Sequence, residues 1–217
     1  MTKSDRIARF EAALQHLPLV AILRGIKPSE AEAIGAVLYR SGFRLIEVPL
    51  NSPEPFTSIA TLRRVLPADV VIGAGTVIKT DAVDRLAAID ADLVVMPHGD
   101  LGVIRAAKAS GLICMPGVAT PTEAFAALEA GADALKLFPA ELIAPNVVKA
   151  LRAVLPRTTR LFPVGGITPQ SFKPYVDAGV AGFGLGSALY APGTTADEIA
   201  VRAERFVAAW QEFRPAN

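Results

Sequence analysis

The sequence predicts an α/β protein, a (β/α)8 TIM barrel with an extra N-terminal helix, forming one domain over residues 1–217. Three observations predict it. A phrase recurs along the chain: a helical segment, a small residue with Gly, then a short apolar run. Amphipathic stretches that open on helix-start residues separate those runs. The length of 217 residues suits one well-buried core and is short for two.

In order, a leading helix near 4–16 places Ile7, Phe10, Leu14 and Leu17 at helical spacing, a set suited to plugging the bottom of a barrel. Strands are expected near 18–24, 43–48, 70–74, 92–96, 112–115, 133–138, 160–164 and 180–185, each followed by a helix. The recurring phrase reads YRSGFRLIEVP at 39–49, KASGLICMPG at 108–117, LEAGADALKLFP at 128–139 and VDAGVAGFGLG at 176–186. LAAIDADLVVMP at 86–97 keeps the beat without its Gly. Gly just past a helix supplies a left-handed cap. Helix starts are marked by the stretch from Pro28, by Thr80-Asp81, by Thr120-Pro121-Thr122-Glu123 and by Thr168-Pro169. Eight such alternations point to a closed parallel barrel; the alternative, an open doubly wound sheet, usually has fewer strands.

Composition narrows the function classes. Lys plus Arg number 22 against 21 acids, so no net charge draws the chain to nucleic acid or membrane surfaces. Apolar residues are 52% and charged ones 20%, which implies much buried surface. The start, MTKSDRIARFEAAL, lacks the apolar run of a signal peptide, and no stretch reaches the roughly 18 apolar residues of a membrane span. A cytoplasmic protein is expected. Cys114 is the one cysteine, lies in an apolar strand and reads as core.

Strands of a parallel barrel are buried on both faces, so polar residues in them carry information. Arg24 ends LVAILRG, Glu47 interrupts LIEVP, Thr76 follows VVIGAG and Lys136 interrupts ALKLF. Each falls at or near the C-terminal end of its strand, the face where barrel enzymes keep their chemistry. A lysine elsewhere would snorkel to solvent or pair with an acid. Among Ala134, Leu135, Leu137 and Phe138, an unpaired ammonium is costly, and burial lowers its pKa towards that of a nucleophile. Glu47 either neutralises Lys136 or Arg24, or moves protons for a reactive amine.

Two glycine-rich turns follow the last two strands: Pro163-Val164-Gly165-Gly166-Ile167-Thr168-Pro169 and Gly184-Leu185-Gly186-Ser187. Glycine lets backbone N–H groups approach an anion, and barrels commonly hold phosphate on these loops. A Gly-Gly pair elsewhere often just makes a tight turn. His16 and His98 are the two histidines and lack metal-ligand spacing, so a zinc-dependent mechanism is not expected; no cofactor is expected either. His98 follows the fourth strand and reads as a loop residue, with a place lining the barrel mouth as the alternative.

With these residues in place, the sequence resembles the class I aldolases of 2-keto-3-deoxy-6-phospho sugar acids. The resemblance runs from about Leu17 to Phe213 and rests on PLVAILRGI at 18–26, IEVPLNSP at 46–53, IGAGTV at 72–77, LKLFPA at 135–140, PVGGITP at 163–169 and GLGSALY at 184–190. Pro49-Leu50-Asn51-Ser52-Pro53 and Val164 are most similar to the phosphogalactonate branch; the phosphogluconate branch carries threonine at the latter position.

The resemblance implies Lys136 as the Schiff-base lysine, Glu47 as proton shuttle, Arg24 at the keto-acid end and Thr76 on bound pyruvate. It further implies Val164 sensing a sugar hydroxyl, Gly165, Gly166, Gly186 and Ser187 on phosphate, no metal, and a homotrimer. Met96-Pro97-His98-Gly99 departs from the family pattern in a loop expected to border the site. The rivals are an aldolase preferring or also accepting the gluconate epimer, a phosphosugar epimerase or synthase barrel, and a non-catalytic phosphoester-binding barrel.

Overall fold

The computed structural model describes residues 2–213, in which α1 (Lys3–His16) precedes an alternation of strands and helices. First come β1 (Leu19–Ile22), α2 (Pro28–Arg40), β2 (Leu45–Pro49), α3 (Pro55–Val65), β3 (Val71–Gly75) and α4 (Thr80–Ala88). Next are β4 (Leu93–Val95), α5 (Leu101–Ala109), β5 (Ile113–Met115), β6 (Gly117–Val118), α6 (Pro121–Glu129) and β7 (Leu135–Leu137). The chain ends with α7 (Pro145–Val154), β8 (Leu161–Pro163), α8 (Phe172–Asp177), β9 (Phe183–Leu185) and α9 (Ala196–Gln211); 3-10 turns lie at Ala140–Leu142 and Pro169–Ser171.

Local chemistry sets these limits. Thr2, Thr120 and Thr195 form capping boxes with Asp5, Glu123 and Glu198, each pair satisfying two otherwise orphaned N–H groups. Before α4 the cap position falls on Lys79 rather than Thr80, and no side chain bonds there. Gly42, Gly111, Gly131 and Gly179 all take positive φ just past their helices. After α4 the same role falls to Asp90 with φ 54°, so the repeating phrase survives without glycine.

All the strand pairings are parallel. Six strands run in the order β5-β4-β3-β2-β1-β9, and a second ladder runs β6-β7-β8. Nine strand segments thus stand where eight strands are expected. Pro116 is the cause: it has no N–H, so the fifth strand splits there, β5 pairing with β4 and β6 with β7. The result is a curled parallel sheet with helices on its outer side.

Period-two alternation sorts the side chains into two cores. Val20, Leu45, Val71, Leu93, Ile113, Ala134 and Phe162 form an inner cluster, while Ala21, Ile46, Ile72, Val94, Cys114, Leu135 and Leu161 join the outer one under the helices. Helix α1 closes the inner cluster at the strands' N-terminal ends, through Phe10 and Ala13 with Leu14 beside them. The expected plug therefore needs correcting. Ile7 is 37% exposed, and Leu17, already past the helix in extended conformation, packs in the outer cluster.

Charge reinforces that end. Asp92, fully buried just before β4, accepts hydrogen bonds from Arg9 at 2.9 and 3.0 Å, from Arg63 at 2.9 Å and from the Ile72 N–H at 3.1 Å. Arg6 lies 3.8 Å from the same carboxylate and 2.8 Å from Asp90. No helix among the described residues is long and apolar enough to cross a membrane.

Candidate active site

Lys136 stands in the middle of β7. Its neighbours Leu135 and Leu137 belong to the outer cluster, so the alternation turns Lys136 to the inner side, above Ala134. In β2 the same rule puts Leu45 and Glu47 inward and Ile46 and Val48 outward. Both charged residues thus share the space enclosed by the curl, towards the strands' C-terminal ends.

Neither is comfortable there. Lys136 is 3% exposed and Glu47 1% exposed, and no ion pair joins the two, which act on each other only as charges. One Glu47 carboxylate oxygen, Oε2, has no hydrogen-bond partner among the described residues. Burial pushes Glu47 above the usual carboxylate range, and the charges of Lys136 and Arg24 oppose that shift. Burial also pulls the Lys136 amine below its usual value, with the Glu47 charge opposing. The amine nitrogen sits 4.6 Å from the centre of the Phe138 ring.

A residue the sequence reading passed over makes room for Glu47. A Cβ on Gly75, at the end of β3, would overlap the Glu47 carboxylate. Only glycine leaves that space open. Its one sequence signal is GAG in a strand otherwise rich in β-branched residues.

Around Lys136 lies a cavity of about 420 Å³. Arg24, Lys136, Val164, Gly165, Gly166, Gly186 and Ser187 all line it, so the expected catalytic amine and the expected anion turns face one space. Gly165 and Gly166 take φ values of 119° and 60°, which a side chain would strain, and nothing crowds Gly186. Two further lining residues, Phe138 and Glu141, follow Lys136 in the FPAE run and were not singled out from the sequence.

The other two expected residues are placed differently. Glu47 is buried and is not among the residues lining the cavity. Thr76 lines an adjoining cavity of about 320 Å³ together with Asn51. Arg24 spans the two spaces, donating to Asn51 Oδ1 at 2.7 Å and reaching Thr76 Oγ1 at 3.5 Å. Thr76 holds φ 54°, a costly conformation for a β-branched residue.

The loop that departs from the family pattern stays out of the cavity. Met96 is buried with its sulfur 3.9 Å from Cys114, whose thiol burial pushes up to about 12. His98 lines neither space. Among the described residues, no group of three His, Cys, Asp or Glu side chains is placed to hold a metal ion.

An amine with a lowered pKa that shares one cavity with a glycine turn, and a protonatable buried carboxylate on the same inner side of the sheet, suit imine chemistry on an anionic carbonyl compound. Comparisons with known proteins agree. Residues 10–202 match the aldolase family described as KDPG and KHG aldolase. The chain is 49% identical over 197 residues to the 2-dehydro-3-deoxy-6-phosphogalactonate aldolase of Escherichia coli K12, covering 90% of this chain and 96% of that one. A solved structure described as native KDPGal superposes with a TM-score of 0.89 at 47% identity, covering 90% of this chain and 95% of the other. The same score and identity, over 90% of this chain and 73% of the other, relate it to a cube-shaped, porous cage designed by fusing symmetric oligomeric domains.

Proposed function

Because this chain belongs to the KDPG and KHG aldolase family, we propose that it cleaves 2-dehydro-3-deoxy-6-phosphogalactonate to pyruvate and D-glyceraldehyde 3-phosphate through a Schiff base on Lys136. The observation that carries the reading is a strand-centred amine, 3% exposed and without a paired carboxylate, lining the cavity that ends in the glycine turns.

The neutral amine of Lys136 attacks the C2 ketone, and loss of water leaves an iminium. Glu47, protonatable because burial raises its pKa, supplies and takes back the protons of that step. Glu47 then removes the proton of the C4 hydroxyl as the C3–C4 bond breaks. The electron pair flows into the iminium, the phosphorylated aldehyde leaves, and the enamine is protonated at C3. Water hydrolyses the resulting imine, releasing pyruvate and the free amine. Arg24 steadies the keto-acid end with Thr76 behind it, and Val164 faces the sugar hydroxyls. Gly165, Gly166, Gly186 and Ser187 hold the phosphate by backbone and hydroxyl donors, fixing the scissile bond against Lys136.

The closed eightfold barrel is part of the same reading. It is supported by the single-residue interval at Pro116 between β5 and β6, and by a parallel bridge from Val164 to Gly184 joining the far edges of the two ladders. The family match over 10–202 supports one domain across 1–217. Likeness to a chain of a cage designed by fusing symmetric oligomeric domains supports an oligomer; we propose a homotrimer in the cytoplasm.

Pyruvate with borohydride should add a stable mass to the peptide carrying Lys136. Since the neutral amine reacts, labelling should rise with pH and reach half its maximum below the ordinary lysine value of 10.5. In a pyruvate-release assay the galactonate epimer should have the higher kcat/KM. Equal labelling of Lys136→Met, or full turnover by it, overturns the assignment.

A further inference from the structure

The glycine turn proposed to hold phosphate has an unexpected neighbour. Glu141 lines the same cavity, and its carboxylate lies against the turn: a Cβ on Gly165 would overlap Oε2, and one on Gly166 would come within 3.2 Å of Oε1. A negative charge at the edge of an anion subsite opposes the ligand that subsite is built for.

Its place is fixed by the fold. The Ala140 N–H donates to the Val164 carbonyl at 2.9 Å, tying the 3-10 turn to the strand that leads into Gly165. From beneath, the Tyr175 hydroxyl sits 3.0 Å from the carbonyls of both Ala140 and Ile143, which bracket Glu141. The backbone carrying Glu141 is anchored on both sides.

We infer that Glu141 is a specificity-determining residue for the distal end of the substrate. Its carboxylate weakens the hold on a doubly charged phosphate and accepts a hydrogen bond from a terminal hydroxyl, so the site discriminates less strongly against 2-keto-3-deoxy sugar acids without the phosphate. This rests on the phosphate role of the turn proposed above. Glu141 is itself an exposed residue, so solvent moderates the effect.

The test compares kcat/KM for the phosphorylated substrate and its dephosphorylated counterpart in the wild type, Glu141→Gln and Glu141→Lys. Preference for phosphate should rise about three- to tenfold in Glu141→Gln, through KM, and further in Glu141→Lys. The gain should shrink at about 1 M salt, where charges are screened within roughly 3 Å. A structural role for Glu141 would not give a charge-ordered, salt-sensitive series. An unchanged preference, or a change of equal size at low and high salt, overturns the inference and leaves the phosphate turn intact. A wild type with no preference for the phosphorylated substrate overturns both.

Discussion

Asp92 and Glu47 are buried carboxylates in opposite surroundings, one just before β4 at the end of the sheet that α1 closes, the other in the middle of β2. Asp92, before β4, is satisfied by Arg9, Arg63 and the Ile72 N–H, with Arg6 close by. Glu47, in β2, faces Lys136 and Arg24 as distant charges and leaves Oε2 without a partner. Burial costs each ion several kcal/mol, and only at the base do direct bonds offset the cost. Where the charges are satisfied, the fold gains a latch between α1, α3 and the sheet. Burial raises the proton affinity of both carboxylates, but at Asp92 the Ile72 N–H and the arginines oppose it through direct bonds, whereas at Glu47 only the charges of Lys136 and Arg24 do; the lowered amine of Lys136 then meets the condition for exchanging protons with a substrate.

The sharpest way to break this contrast is Glu47→Gln. With volume kept and the charge removed, kcat should fall by about 10²–10⁴, the usual share of a general acid–base group. Thermal stability should hold or rise, because an unsatisfied buried charge is gone. Steady-state kinetics and melting curves on one preparation decide it. A large drop in Tm with kcat preserved would make Glu47 another latch.

Asp92→Asn should do the opposite. Losing the carboxylate strands buried guanidinium groups, a destabilisation of about 3–5 kcal/mol. In a chain of this size each kcal/mol lowers Tm by roughly 2–4 °C. The folded fraction should retain kcat within about twofold, since Asp92 and the groups bonded to it line neither cavity. Denaturant unfolding beside activity below the transition checks both halves.

The two sites were not equally legible in the sequence. Lys136 and Glu47 stood out because a polar residue inside a short apolar run breaks a strong local expectation. The alternation of strands and helices and most helix starts were legible because glycine beats and N-terminal caps act within a few residues; Thr168-Pro169 instead opens a 3-10 turn ahead of α8. The base latch was not, because Asp92 meets Arg9 across 83 residues and Arg63 across 29. Nor was the division of the fifth strand at Pro116, which depends on which neighbours the curl offers. Gly75 and Glu141 matter through what they leave open or press against. Such roles exist only once distant segments meet.

The smallest expected effect tests how finely the reactive end is shaped. Val164 lines the cavity, is 8% exposed, and packs so closely on Gly184 that a Cβ there would come within 2.6 Å of its Cγ2. Its backbone is held by hydrogen bonds at 3.0 Å to the Leu137 carbonyl and 2.9 Å from the Ala140 N–H, so a substitution leaves the main chain in place. Val164→Thr keeps the shape and exchanges a methyl group for a hydroxyl. That hydroxyl loses hydration unless the substrate offers a partner, and a new hydrogen bond is worth about 0.5–1.5 kcal/mol net. The ratio of kcat/KM for the gluconate over the galactonate epimer should therefore rise roughly three- to tenfold. Tm should fall slightly, since valine to threonine is not a neutral swap in a packed site. An unchanged epimer ratio with the Tm lowered as expected would show Val164 to be wall rather than selector, and would move epimer choice towards Arg24 and the second cavity lined by Asn51 and Thr76.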